Sequence, residues 1–217
     1  MLTIVLIFFS FACIHSITTS IRLKHACRNL IGDIFMRVYY RAFYNALSFI
    51  TAAIAFFLIA RVPDRELWTA PTWLMWPMHG IQIAAMVFGA QAFKHLDVWE
   101  FMGFRQVWKY ITRREVSGDI DGLTRQGLAT TGVYGIVRHP LYLAGIIIFT
   151  SNPHFTLNTV TTAVLADIYF LFGMIIEERR FVKIFGDEYR KYMERVPMMI
   201  PRSLAAEHPE KSRSNKS

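Results

Sequence analysis

Two short stretches carry residue types that can do chemistry. The first is Gly132-Val-Tyr-Gly-Ile-Val-Arg-His-Pro-Leu-Tyr-Leu-Ala-Gly145. Pro140 suits the first position of a helix, where its missing N–H would have no intrahelical partner, and His139 then falls near the N-cap. A helix N-terminus presents free N–H groups and a partial positive charge, which suits a carboxylate or a phosphate. Tyr134 and Tyr142 flank it and can stack on a planar ring. The plainer reading of the same residues is a basic anchor with interfacial tyrosines. The second stretch is Glu177-Glu178-Arg179-Arg180. Adjacent carboxylates at a helix C-terminus oppose the helix dipole. Either Arg179 and Arg180 compensate them, or they bind the hydroxyls or amine of a cofactor.

Other candidates are weaker. Lys94-His-Leu-Asp-Val-Trp-Glu-Phe-Met-Gly-Phe-Arg-Gln-Val107 puts His95 close to Asp97, with Arg105 and Gln106 following, but a surface helix with a polar face accounts for it as well. His15-Ser16, Tyr44-Asn45 and Asp167 fall in or beside apolar runs. A polar group there is costly, and is either functional or packed between helices. The sequence has no G-x-G-x-x-G, P-loop, H-E-x-x-H, C-x-x-C or G-x-S-x-G. Cys13 and Cys27 are too few for a disulfide framework, and no metal site is expected.

The elements that must position these residues are written in the apolar runs. Of the 217 residues, 53% are apolar and 18% charged, where a soluble domain carries about a quarter charged. An ordinary soluble domain and a disordered chain are both excluded. Uncharged blocks cover residues 2–21, 43–60 and 71–93, each near the roughly 20 apolar residues a helix needs to cross a bilayer core of about 30 Å. Residues 141–166 are uncharged too, but Asn152-Pro153 is a turn signal, so helices are expected over 134–152 and 156–177. The expectation is an all-α integral membrane protein. It has a single domain over 1–202, about five transmembrane helices with the fourth and fifth forming a hairpin, and a disordered tail over 203–217. A hairpin of adjacent antiparallel helices brings Arg138-His139 to Glu177-Glu178.

Charge sets the expected orientation. The first block lacks a basic start and is followed by Arg22, Lys24 and Arg28, which reads as a retained anchor with its N-terminus outside rather than a signal peptide. The net charge of +8 would suggest nucleic acid only if it lay along one soluble face. Instead, 22 of the 24 lysines and arginines fall on one side of the five-helix arrangement, the cytoplasmic side by the positive-inside rule. Trp68, Trp73 and Trp76 gather at the opposite interface. Membrane lipid is an expected partner and nucleic acid is not. Residues 94–133, with Gly118, Gly122 and Gly127, form a polar connection too long for a simple turn.

Taken in order, Gly-x-Tyr-x-x-x-Arg-His-Pro-x-Tyr, the hairpin, Glu-Glu-Arg, Phe185-Gly-Asp-Glu-Tyr189-x-x-Tyr192 and Val196-Pro-Met-Met-Ile-Pro201 form a recognisable series. It resembles the integral-membrane methyltransferases that include isoprenylcysteine carboxyl methyltransferase and phospholipid methyltransferases, over residues 127–202. His15-Ser16, Tyr44-Asn45-x-x-Ser48 and His95-x-Asp97 leading to Gly103-Phe-Arg-Gln-Val107 are most similar to the methanethiol S-methyltransferase and NnrU branch. Phe104 departs from the leucine common in that branch, and the leading helix that some members carry is not expected. The resemblance implies S-adenosylmethionine as methyl donor, held by Tyr134, Arg138, His139, Pro140, Tyr142 and Gly145 and by Glu177 and Glu178. It implies a small thiol as acceptor. A carboxyl or lipid-like acceptor such as a prenyl-cysteine, or a non-catalytic accessory role, are the alternatives. Because the thiolate is the nucleophile, His95 and Arg105 are expected to favour it, with Asp97 orienting them. The implied location is the bacterial inner membrane, with the C-terminus cytoplasmic.

Overall fold

The uncharged run at the start forms helix α1, Leu2–Thr19. It stops where Ser20 turns extended (φ −66°, ψ 136°) and caps helix α2, Ile21–Ile31, by accepting from the Leu23 N–H at 3.3 Å. The computed structural model describes residues 1–95, 97–116 and 127–201, and for His95 the backbone alone. The tail over 203–217, Gly118, Gly122 and the His95 side chain therefore lie outside the described residues.

What the sequence reads as a basic connection after α1 is itself helical. Gly32, at φ +102°, turns the corner from α2 into α3, Asp33–Val38. Asp33 holds the corner by pairing with Arg28 at 2.8 Å and with Arg37. Helix α4 then runs over Tyr40–Ile59 and helix α5 over Thr72–Ala92. The long polar connection begins with a 3-10 turn at Phe93–His95 and two short helices, α6 (Val98–Phe101) and α7 (Phe104–Ile111). Helix α8 covers Pro140–Thr150, α9 covers Leu157–Phe185 and α10 covers Asp187–Arg195.

Three-quarters of the structure is helical with almost no sheet, which makes the protein all-α. Among the described residues, three helices, α1, α4 and α9, are long and apolar enough to cross a membrane. The five crossings expected are not all of that kind. Helix α5 has the length, 21 residues, but carries Pro77, His79, Gln82 and Gln91. Helix α8 has 11 residues, a rise of about 16 Å at 1.5 Å per residue.

Two boundaries differ for identifiable reasons. The helix expected over 134–152 begins only at Pro140, because Gly132–Gly135 form a 3-10 turn and His139 (φ −124°, ψ 65°) lies outside the helical region. A residue before proline is pushed out of the helical region. The helix expected to end at 177 instead continues to Phe185, since leaving the bilayer gives a helix no reason to stop.

At the far end, strand β1 (Glu66–Thr69) pairs antiparallel with β2 (His154–Thr156). The Asn152-Pro153 turn is where the sequence places it: the Asn152 side-chain oxygen accepts from the His154 N–H at 3.0 Å, and Pro153 is fully buried. Helix α8 packs chiefly against α5. The contact is close enough that a Cβ on Gly89 would sit 2.9 Å from the Cβ of Ala144. Past α9, Tyr189, Tyr192 and Val196 are buried together against Phe181, Phe185 and Leu128, folding α10 back onto the end of α9.

Candidate functional site

Arg138 precedes the N-cap of α8, and Glu177 and Glu178 lie on the last turns of α9. The hairpin brings them together. Arg138 donates from Nε and Nη2 to one oxygen of Glu178 at 2.7 and 2.6 Å, and from Nη1 to the carbonyls of Met193 and Val196 at 3.1 and 2.6 Å. Arg138 and Glu178 are largely but not fully buried, with side chains 8% and 14% exposed. A buried charge is tolerable only when paired and hydrogen-bonded, and here nearly every guanidinium donor has a partner.

His139 is buried beside this pair. Its Nε2 lies 3.2 Å from the same Glu178 oxygen and its Nδ1 lies 3.5 Å from Glu177. Its ring meets Tyr142 edge to face at 5.6 Å. Arg138 offsets Glu178, so Glu177 is the carboxylate left facing outward, 37% exposed. That carboxylate acts on the phenols of both Tyr134 and Tyr142. Burial first, and then Glu177, push the Tyr134 phenol up to about 12. Burial likewise raises Tyr189 and Tyr192 well above the usual phenol range.

The backbone of the last segment completes the arrangement. The N–H groups of Arg138 and His139 donate to the carbonyls of Pro197 and Met198 at 3.0 and 3.3 Å. The Tyr192 hydroxyl donates to the Tyr134 carbonyl at 2.5 Å. These carbonyl partners escape sequence reasoning, because a backbone oxygen has no residue type. Their only trace is the spacing of Tyr189, Tyr192 and Val196-Pro197, whose side chains fold the segment back.

The expected site residues do not all share one place. Tyr134, Arg138, His139, Tyr142, Glu177 and Glu178 form one cluster, with Pro140 starting the helix beneath it. Gly145 lies one turn further along α8, where an added Cβ would meet the Phe170 ring at 2.9 Å, so its small size serves the α8–α9 contact. Asp97 caps α6 by accepting from the Glu100 N–H at 3.0 Å, and its other oxygen pairs with Arg105 at 2.7 Å. Among the described residues, no hydrogen bond or ion pair joins Asp97 or Arg105 to the His139–Glu178 cluster. Arg41 and Asn45 of α4 donate to the Glu100 and Phe101 carbonyls at 2.9 Å each, anchoring α6 to that helix.

A second polar group lies between α1, α4 and α9. The Tyr44 hydroxyl is 2.9 Å from His15 Nε2, Ser48 Oγ is 3.2 Å from His15 Nδ1, and Ser16 Oγ is 3.0 Å from the Tyr169 hydroxyl. The sequence marked His15, Ser16, Tyr44 and Ser48 but not Tyr169, whose flanking apolar residues read as ordinary helix. Among the described residues, no group of histidine, cysteine, aspartate and glutamate could hold a metal ion.

Residues 3–199 match the family described as NnrU protein. The chain is 36% identical over 106 residues to methanethiol S-methyltransferase 1 of Bradyrhizobium diazoefficiens, covering 49% of this chain and 35% of that protein. It is 28% identical over 165 residues to methanethiol S-methyltransferase 2 of the same organism, covering 76% of this chain and 61% of that protein. It is also 33% identical over 78 residues to a protein-S-isoprenylcysteine O-methyltransferase of Schizosaccharomyces pombe, covering 34% of this chain and 33% of that protein. The chain thus spans about a third to three-fifths of the length of these relatives. No solved structure matches it significantly.

Proposed function

This chain belongs to the NnrU protein family, and from that membership we propose that it is a membrane methyltransferase that takes its methyl group from S-adenosylmethionine and passes it to a small thiol. The observation that carries the reading is the meeting of Arg138-His139 with Glu177-Glu178 at one end of the α8–α9 hairpin. The relatives named methanethiol S-methyltransferase and isoprenylcysteine O-methyltransferase support it.

The residues present fit the donor. It carries a sulfonium, an ammonium, ribose hydroxyls, a carboxylate and an adenine ring. Glu177, partly exposed and faced by two phenols, suits an ammonium or a hydroxyl pair. Tyr134 and Tyr142 offer aromatic faces to a planar ring, and the α8 N-terminus offers N–H groups to a carboxylate. Arg138 and Glu178 hold the walls of this site rather than its opening. When bound, the donor supplies an electrophilic methyl group on positively charged sulfur. What the protein adds is alignment and the exclusion of water. For His95, Asp97 and Arg105 the proposal is one of position: the Asp97–Arg105 pair fixes α6 against α7, and so fixes the segment that carries His95.

We place the protein in the bacterial inner membrane with its basic face, and hence this site, toward the cytoplasm. The sidedness of 22 of the 24 lysines and arginines supports that orientation. The testing experiment is donor binding by calorimetry in detergent, followed by a methyl-transfer screen of methanethiol, long-chain thiols and prenyl-cysteine analogues. Donor binding with turnover of small thiols is expected. Absence of donor binding would sink the reading, and turnover of prenyl-cysteine analogues alone would move the acceptor to a carboxyl group.

A further inference from the structure

We propose that the groove between α6 and α7 binds one anionic phospholipid of the surrounding bilayer, its phosphate among Arg105, Lys109 and Arg114 and its upper acyl carbons against Trp99, Phe104 and Trp108. This site stands apart from the methyl-transfer reading and needs neither donor nor acceptor. Position comes first. Helix α7 docks at the first turn of α4, a helix long and apolar enough to cross a membrane. Gly103, at φ +88°, lies so near the Ala42 backbone nitrogen that a Cβ would not fit. The Tyr110 ring meets that of Tyr39 edge to face at 5.9 Å. Gln106 is turned into this packing, 5% exposed, with Nε2 donating to the Glu100 carbonyl at 3.2 Å. Arg41 and Asn45 tie α6 to the same end of α4. Both short helices are therefore held at the level where α4 meets the bilayer surface.

The face that α7 turns outward is the apolar one. At 3.6 residues per turn, roughly, Phe104, Val107, Trp108 and Ile111 share one face, with Arg105 and Lys109 along its edge. The glutamine is buried while Phe104, Trp108 and Ile111 are exposed, the reverse of a helix packed onto a core in water. A helix lying in the membrane interface has this arrangement, with its apolar side at the acyl boundary and its basic residues among headgroups. The Trp99 ring of α6 lies 5.9 Å from that of Phe104. Together the two helices wall a groove of about 720 Å³, within the roughly 300–1,000 Å³ of ligand clefts. Arg105, Lys109 and Arg114 line it, and among the described residues no carboxylate does. Arg105 is shared with Asp97, which leaves Lys109 and Arg114 as the main cations facing a ligand. Three cations beside an indole wall select a molecule with both an anionic head and an apolar tail. A free phosphate would leave the indoles in water, and a zwitterionic lipid brings its own ammonium toward the same cations.

The test is native mass spectrometry of the full chain in detergent, titrated with phosphatidylglycerol or with phosphatidylcholine of the same acyl chains. Wild type is expected to take up one phosphatidylglycerol about tenfold or more tighter than phosphatidylcholine, and inorganic phosphate should not displace it. Lys109→Gln and Arg114→Gln should each weaken phosphatidylglycerol about fivefold, the worth of one basic residue at an anionic surface, with phosphatidylcholine unchanged. Trp108→Ala should weaken both lipids alike. Arg61→Gln with Arg65→Gln, beyond the other end of α4, should leave the preference intact. Equal uptake of the two lipids by wild type overturns the proposal, as does a preference that survives Lys109→Gln and Arg114→Gln together, one that is lost with Arg61 and Arg65, or displacement by phosphate. A dimer of the chain that Trp108→Ala dissolves also overturns it, since the face would then belong to a second copy.

Discussion

Glu177 and Glu178 are chain neighbours placed in different surroundings. Glu178 is buried against Arg138, while Glu177 is more than a third exposed beside two tyrosines. Glu178→Gln removes the partner of a buried guanidinium, a change that costs on the order of 3–5 kcal/mol where nothing compensates. The Met193 and Val196 carbonyls still hold Arg138, so the loss should fall at the lower end, read as denaturant unfolding in detergent. Glu177→Gln should leave stability within about 0.5 kcal/mol. It should weaken donor binding by about tenfold or more, the worth of a hydrogen bond to a charged group, read by calorimetry. Equal loss of stability in both variants would show that the two carboxylates do the same work.

At the scale of elements, Gly145 separates two kinds of glycine. If it lets a ligand approach the backbone, Gly145→Ala abolishes donor binding and leaves stability alone. The Phe170 ring 2.9 Å from the position of an added Cβ argues for packing. Gly145→Ala should then cost about 1–3 kcal/mol by overpacking, and Phe170→Leu in the same chain should recover most of it. Much at this scale is legible in the sequence. Uncharged runs become α1, α4 and α5 within a few residues, and hairpin logic brings Arg138-His139 to Glu177-Glu178. What is hidden depends on backbone. The α8 boundary follows from the non-helical His139 before Pro140, the α2–α3 helices occupy a charged stretch with no apolar block to mark them, and β1–β2 is too short to leave a pattern. The contacts of Asp97 and Arg105, a helix cap and its ion-pair partner, are equally hidden, because the sequence does not show which backbone N–H a carboxylate will meet.

At the scale of the whole molecule, two buried phenols and a half-buried one tie stability to alkali. Tyr134 is raised to about 12, and Tyr189 and Tyr192 are raised as well. In the unfolded chain a tyrosine titrates near pH 10, roughly. The contribution of these groups is therefore whole below that pH, and is lost as pH rises through the folded values. Unfolding midpoints should fall from about pH 10 upward, with phenolate absorbance of these residues appearing together with unfolding and not before. Orientation is checkable on the same scale. A cysteine placed by Leu67→Cys, 50% exposed on β1, should label from the face opposite to one placed in α3. Labelling from one face would refute the positive-inside assignment. The bonds from Arg138 and His139 to the carbonyls of Met193, Val196, Pro197 and Met198 have a temporal consequence. A ribosome makes residues in order, so every side chain of the candidate donor site exists well before the segment that holds two of them in place. A nascent chain stopped after Arg195 would carry the whole motif but lack the Val196, Pro197 and Met198 carbonyls that hold Arg138 and His139. The full set of bonds around Arg138 and His139 is therefore completed only once residue 198 has left the exit tunnel.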